Sequence, residues 1–471
     1  MAPKRPLPQD DEKREVKNKK FKCSIKMRLR EACLEGDIET VKQCMKFKFD
    51  VNERMKCGMT LLHVASYDGY AEIVVELLKH AANIDDKASD GFTALHFATQ
   101  KGHPKVVAKL LENGAKIDIH VGNKPEGCNG ANCNNPCYPG GNALYLASLF
   151  GHVEIVKILI QYGAAITSKC SYNPLNAACE MGHLEVVKEL LKAGARINEK
   201  GYIWDNFPLH MAVANGQIEV VQELIKWGAD VNLFDDYFGT PINIAARDGN
   251  LALVKELLKH GANPYQHLDE HNNDYLNAET PLHGADMFVH QSIIEEILLH
   301  HENDAFVDDE NKTPLHYASE IGNAKAVKKL LERGCSVNVK TTNNKIPLHF
   351  ALDWGCSYHD DALDTLTLLV KHGADVNAQD ENGNSALHLA VEYGHNFDIS
   401  FDNDKNIPLE RILNEASNIN FNLKNEDGKT ALQSAIDSGD TDSARMIAKK
   451  MCPKSSIAHS IYPLKCFIKY I

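Results

Sequence analysis

One phrase of six residues, plainest as Thr313-Pro314-Leu315-His316-Tyr317-Ala318, returns along most of this 471-residue chain. Its Pro position falls at Leu61, Ala94, Ala143, Pro174, Pro208, Pro241, Pro281, Pro314, Pro347, Ala386 and Ala431, and the commonest gap between neighbours is 33 residues. A recurring period of that length demands a stack of like units in place of one globular core. The phrase itself says what each unit is. Thr suits a helix N-cap, where its oxygen accepts a free backbone N–H, and Pro suits the first helical position, where its missing N–H was unpaired anyway. Leu209 and Ala212 lie three apart on one helical face, the first to fill the core and the second to let a neighbouring helix come close. Gly102, Gly151, Gly182, Gly216, Gly249 and Gly322 then end the short helix in a left-handed turn. A second helix follows, its apolar stripe written in pairs such as Val186-Val187 and Leu190-Leu191, and closes at Gly194 before an extended stretch leads to the next copy. Neither helix covers its apolar face alone, so the copies must stack.

Length, composition and charge agree. The chain is too long for a single core, yet 44% apolar and 24% charged residues are ordinary for a folded protein. Met1-Ala2-Pro3-Lys4-Arg5 runs into charge instead of an apolar signal segment, and no stretch approaches the roughly 18 apolar residues of a membrane span, so an intracellular protein is expected. Thirteen cysteines, an odd number scattered mostly through the repeats, suit a reducing compartment better than a disulfide framework. Residues 1–30 carry 11 Lys/Arg against 4 Asp/Glu, a balance of +7, which leaves 40 against 60 for the rest, a balance of −20. An acidic array argues against nonspecific nucleic-acid binding, which needs clustered positive charge, and favours partners with basic surfaces or peptides.

The spacing and wording of the phrase resemble the ankyrin repeat. The resemblance covers roughly residues 27–448 and implies an all-α solenoid: a degenerate N-terminal cap followed by about eleven helix-turn-helix repeats. Residues 1–25 read as a disordered basic arm. Residues 26–57 read as a capping repeat, in which Leu29, Ala32, Gly36, Val41 and Val51-Asn52 keep the pattern without the phrase. Repeats fill residues 58–448, stretched by insertions near 119–140, 264–278 and 396–406, and residues 449–471 form a C-terminal tail. In the last repeat, Asp437, Ser438, Asp440, Thr441 and Asp442 stand where a firmer turn and second helix would be expected, predicting a weak end.

Signatures of catalysis are absent, and an enzyme is not expected. Gly428-Lys429-Thr430 looks like the end of a phosphate-binding loop, but Leu423 stands where that loop needs Gly. Asp402, Asp404 and Asn406 begin like a calcium loop that Ile407 and Leu413 then break. His63, His96, His210, His283, His316, His349 and His388 all occupy the phrase's His position, which points to hydrogen bonding within and between turns, not to chemistry. Inorganic chemistry has one candidate. Cys128, Cys133 and Cys137 lie in one long finger and Cys170 in the next, and four thiolates there could hold a tetrahedral zinc; the alternative is an unliganded reduced loop.

The resemblance implies binding through the concave side, by finger tips and by the two residues before the Gly that ends the first helix. Phe150, Met181, Asp248, Ile321, Trp354 and Tyr393 occupy that position, while Tyr202, Trp204, Asp235 and Tyr237 lie in the fingers. Aromatic anchors among charges are the usual make-up of an interaction hot spot, although some of these rings could instead pack against neighbouring repeats. The expected function is a non-catalytic scaffold or adaptor for protein partners. The alternative is a substrate-recognition subunit of a ubiquitin ligase, because Tyr462-Pro463-Leu464 and the terminal Tyr470-Ile471 resemble endings of ligase-recruiting boxes. Lys4 and Arg5, then Lys17, Lys19 and Lys20, resemble a bipartite nuclear localisation signal for an importin-type carrier, which makes nucleus, cytoplasm or both the expected compartment; the other reading is a solvating tail.

Overall fold

The computed structural model describes residues 24–47, 50–55, 58–121, 141–166, 173–201, 206–235, 238–265, 280–282, 285, 290–300, 307–308, 310–352, 362–396 and 407–451. Among them every regular element is helical and no strand occurs. The chain divides into two compact units, residues 1–235 and 236–471.

In the first unit, helix α1 over residues 24–35 and α2 (Ile38–Met45) precede five pairs. These are α3 (Leu61–Tyr67) with α4 (Ala71–Lys79), α5 (Ala94–Gln100) with α6 (Pro104–Glu112), α7 (Ala143–Leu149) with α8 (Val153–Gln161), α9 (Pro174–Met181) with α10 (Leu184–Lys192), and α11 (Pro208–Ala214) with α12 (Ile218–Lys226). First helices stack on first helices, α3 on α5, α5 on α7, α7 on α9 and α9 on α11, and second helices do the same from α2 through α12. The two layers differ in burial. All seven residues of α5 and of α7 are buried, because each is enclosed by its neighbours in the row and by its own second helix. By contrast α6 buries one stripe, Val106, Val107, Leu110 and Leu111, with lysines and glutamate opposite. That is the pattern of a helix with one wet side.

The second unit repeats the plan with α13 (Pro241–Arg247), α14 (Leu251–Lys259), α15 (Gln291–His300), α16 (Pro314–Glu320), α17 (Ala324–Glu332), α18 (Pro347–Phe350), α19 (Ala362–Lys371), α20 (Ala386–Asn396), α21 (Ile407–Glu415), α22 (Ala431–Ser438) and α23 (Thr441–Met451). Here α16 packs on α18, α18 on α20 and α20 on α22, with α17, α19, α21 and α23 as the second row. The last repeat forms both its turn and its second helix. Gly439 turns left-handed after α22, and one Asp440 carboxylate oxygen accepts from the N–H groups of Asp442 and Ser443, so the acidic residues that read as a weak turn cap α23.

The phrase's histidine proves to be a strut. In α5 the Thr93 N–H donates to His96 Nδ1 at 3.1 Å, and His96 Nε2 donates to the carbonyl of Ile119, in the following finger, at 2.9 Å. His63, His316, His349 and His388 repeat the arrangement, each tying its own N-cap to a carbonyl further along. One ring thus satisfies two backbone groups. A second row of histidines locks repeat to repeat: His103 Nε2 donates to Tyr67 O at 2.9 Å and His183 Nε2 to Leu149 O at 3.0 Å. Gly69 serves this contact as well as the turn. With φ at +86° it is left-handed, and a Cβ there would lie 2.7 Å from the His103 ring.

Candidate interaction surface

The first helices α3, α5, α7 and α9 each end beside the start of the next repeat's second helix, where His103, His152, His183 and Gln217 meet the turn glycines, so residues before those glycines line one edge. Tyr67 closes α3, Lys101 and Phe150 cap α5 and α7, and Met181 closes α9. Beneath them lies an apolar cluster of Phe92, Phe97, Val121, Tyr145, Leu146 and Leu149, against which Met59, Tyr67 and Phe150 pack half-buried. Phe97 meets the Tyr67 ring edge-on at 6.0 Å, and the Lys101 ammonium sits 4.4 Å over the other ring's centre, that of Tyr67 itself. Phe150 stacks on His152 at 6.2 Å. Met181 is 45% exposed, high for a side chain of its size.

Acids flank this edge. Burial holds the carboxyls of Asp68 and Glu180 above the ordinary carboxylate range; the Asp68 shift is opposed by His103 and Lys101, whereas no cation opposes that of Glu180. Among the described residues, Glu180 has no ion-pair partner.

Elsewhere the expected residues fare differently. Ile321 caps α16 and is 2% exposed, so it belongs to the core and not to a binding face; α19 crowds this turn so closely that a Cβ on Gly322 would lie 3.0 Å from that of Ala362. Asp235 is likewise buried, with Lys200 Nζ 3.6 Å from its Oδ2, and Lys200 lies 5.4 Å over the Phe207 ring. A buried carboxylate needs such a partner, and Asp235 therefore ties its own finger to that of Lys200. Asp248 is exposed and pairs with Arg247 Nε at 3.3 Å. Tyr202, Trp204, Tyr237 and Trp354 lie outside the described residues, as do Cys128, Cys133, Cys137 and Cys170 and the lysines and arginine of the basic arm; of Tyr393 only the backbone is described. The C-terminal Tyr462–Ile471 segment also lies outside them.

Sequence reasoning passed over Tyr67, Asp68 and Lys101, although Tyr67-Asp68-Gly69 and Gln100-Lys101-Gly102 align with Leu149-Phe150-Gly151 and carried the same signal. It could not have found Met59, which reaches the cluster from a finger.

A family model described as ankyrin repeats (3 copies) matches residues 29–121, 124–201, 202–267, 242–341, 282–380, 322–401 and 354–457. The chain is an ankyrin repeat protein. Among solved structures, the human ASB11 ankyrin repeat domain is similar, at 22% identity over 52% of this chain and 98% of that one, with a TM-score of 0.42. Comparison with curated protein sequences returned no match. Ankyrin repeats generally serve as protein-interaction modules. In this ankyrin array asparagines that follow the extended stretch are structural: Asn338 Nδ2 donates to Gly373 O at 3.0 Å while its Oδ1 accepts from Asp375 N at 2.8 Å, and Asn52 and Asn377 do the same. No helix among the described residues is long and apolar enough to cross a membrane.

Proposed function

We propose that this protein is a non-catalytic adaptor that captures a protein partner along the edge built by Tyr67, Lys101, Phe150 and Met181. The observation that carries this reading is the exposure of Met181 at the end of a row of stacked helices whose Tyr67 and Phe150 are half-buried. Apolar side chains in such a row cost free energy while wet and return it when a partner covers them. The formal net charge of −13 favours a partner with a basic surface.

The test is affinity purification with the full chain and with Met181→Glu, read by mass spectrometry. Partners held by the parent protein should be lost from the variant, while its thermal unfolding stays unchanged. Partners retained undiminished by Met181→Glu would remove this edge from the binding site.

A further inference from the structure

Glu180 is out of place on an apolar edge. It is half-buried next to Met181, at the end of a helix packed against α7, and among the described residues it lacks the counter-charge that comparable acids possess. Asp86 has Arg54 at 3.3 Å and Asp235 has Lys200 at 3.6 Å. Lys101, the cation of this edge, is engaged with the Tyr67 ring. A carboxylate that is partly stripped of water and unpaired is a cost to the free protein, which a cation supplied from outside would offset.

We propose that the partner is read as an extended segment in which a lysine or arginine meets the Glu180 carboxylate and apolar side chains cover Met181, Phe150 and Tyr67. The inference rests on the adaptor reading above and adds the chemistry of what is bound. Its length follows from the row. From α3 to α9 there are three helix-to-helix spacings, roughly 24–30 Å in all. An extended chain at about 3.3 Å per residue covers that with about eight or nine residues. Asp68 stands at the far end, where Lys101 and His103 already temper its charge, so it discriminates less than Glu180. An acidic segment would meet Glu180 with no local gain, and a purely apolar one would bury it further without a partner.

The experiment is display of random nine-residue peptides against the full chain, followed by anisotropy titration of the enriched peptides against Glu180→Gln, Asp68→Asn and Met181→Glu. Enriched peptides should pair one Lys or Arg with apolar residues. Glu180→Gln should weaken them about tenfold and Asp68→Asn by no more than about threefold, in line with loss of a charge-assisted contact. Replacing the peptide's Arg by Gln should remove the difference between parent and Glu180→Gln. Enriched peptides that lack a cation, or that bind Glu180→Gln as well as the parent, overturn the inference; if they are still lost on Met181→Glu, the adaptor edge stands without it. Failure to enrich any peptide, or enrichment indifferent to all three variants, overturns both.

Discussion

The two units put different chemistry on the same turn. In the first, Tyr67, Phe150 and Met181 stand before their glycines with apolar surface showing. In the second, Asp248 is held by Arg247 and Ile321 is buried. The fingers differ as well. Lys312 of the second unit is only 8% exposed, with its ammonium 5.6 Å from the Tyr317 ring centre, 5.3 Å from that of Phe350 and 3.1 Å from Glu310. Tyr317 stacks on Tyr265 at 4.8 Å and donates to Asp308 at 2.5 Å; burial first, and that bond second, push its hydroxyl pKa far up. Further on, an open depression of about 740 Å³ is lined by polar groups such as Asn384, His388, Glu392 and Asp437. Cations, rings and acids of the second unit are therefore largely spent on one another. A repeat scaffold thus keeps its backbone while neighbouring copies either satisfy their edge internally or leave it open.

The largest expected effect tests whether the units share one scaffold chemistry. Burial lowers the pKa of His63 and His96 in the first unit and of His316, His349 and His388 in the second, to about 4 for His96 and His316. These folded values lie below the unfolded value, so between roughly pH 6.5 and 4 the unfolded chain binds more protons. The stability is present in full above about pH 6.5 and is lost as pH falls toward 4, on the order of 3 kcal/mol for each of His96 and His316. Among the described residues, the histidines with lowered pKa number three in the second unit against two in the first, and the second unit should lose hydrogen-exchange protection first on acidification. Earlier loss in the first unit, or full protection of both at pH 4, would count against the strut assignment.

Next in size is one substitution made in each unit. Ile321→Glu places an unpaired charge in the core and should cost about 3–5 kcal/mol in denaturant unfolding of the second unit. Met181→Glu, at the equivalent turn of the first, should stay within about 0.5 kcal/mol. Similar costs at the two sites would erase the distinction drawn between a closed and an open edge. Smallest is a matched pair at the helix starts. Thr93→Ala and Thr313→Ala remove the same cap from α5 and α16, and each should cost about 1 kcal/mol by thermal or denaturant unfolding. A marked inequality would mean that the scaffold, and not only its edge, differs between the units.

Much of this was legible in the residues. Thr, Pro and the turn glycines have local duties, capping, starting and ending a helix, and local duties can be read from spacing alone. So could the histidines' role, since a polar ring inside a packed repeat must find hydrogen-bond partners. What the spacing could not convey was which side chain at a given turn stays wet. Phe150, Met181 and Ile321 occupy the same place in their repeats, and all three are apolar. Ile321 is covered and Met181 is left open although the following repeat reaches both turns, with the start of a helix at Gly322 and with the Gln217 side chain at Gly182, so exposure depends on which atoms of that repeat arrive. Asp235 was misread for a similar reason: in sequence it is an acid in a finger, and its burial opposite Lys200 exists only once the chain has folded. The helices, their order and their turns were determined by the sequence through nearest-neighbour rules of backbone and cap. Exposure, and with it the unpaired Glu180, was decided by tertiary packing, because it depends on distances between repeats that no single repeat encodes.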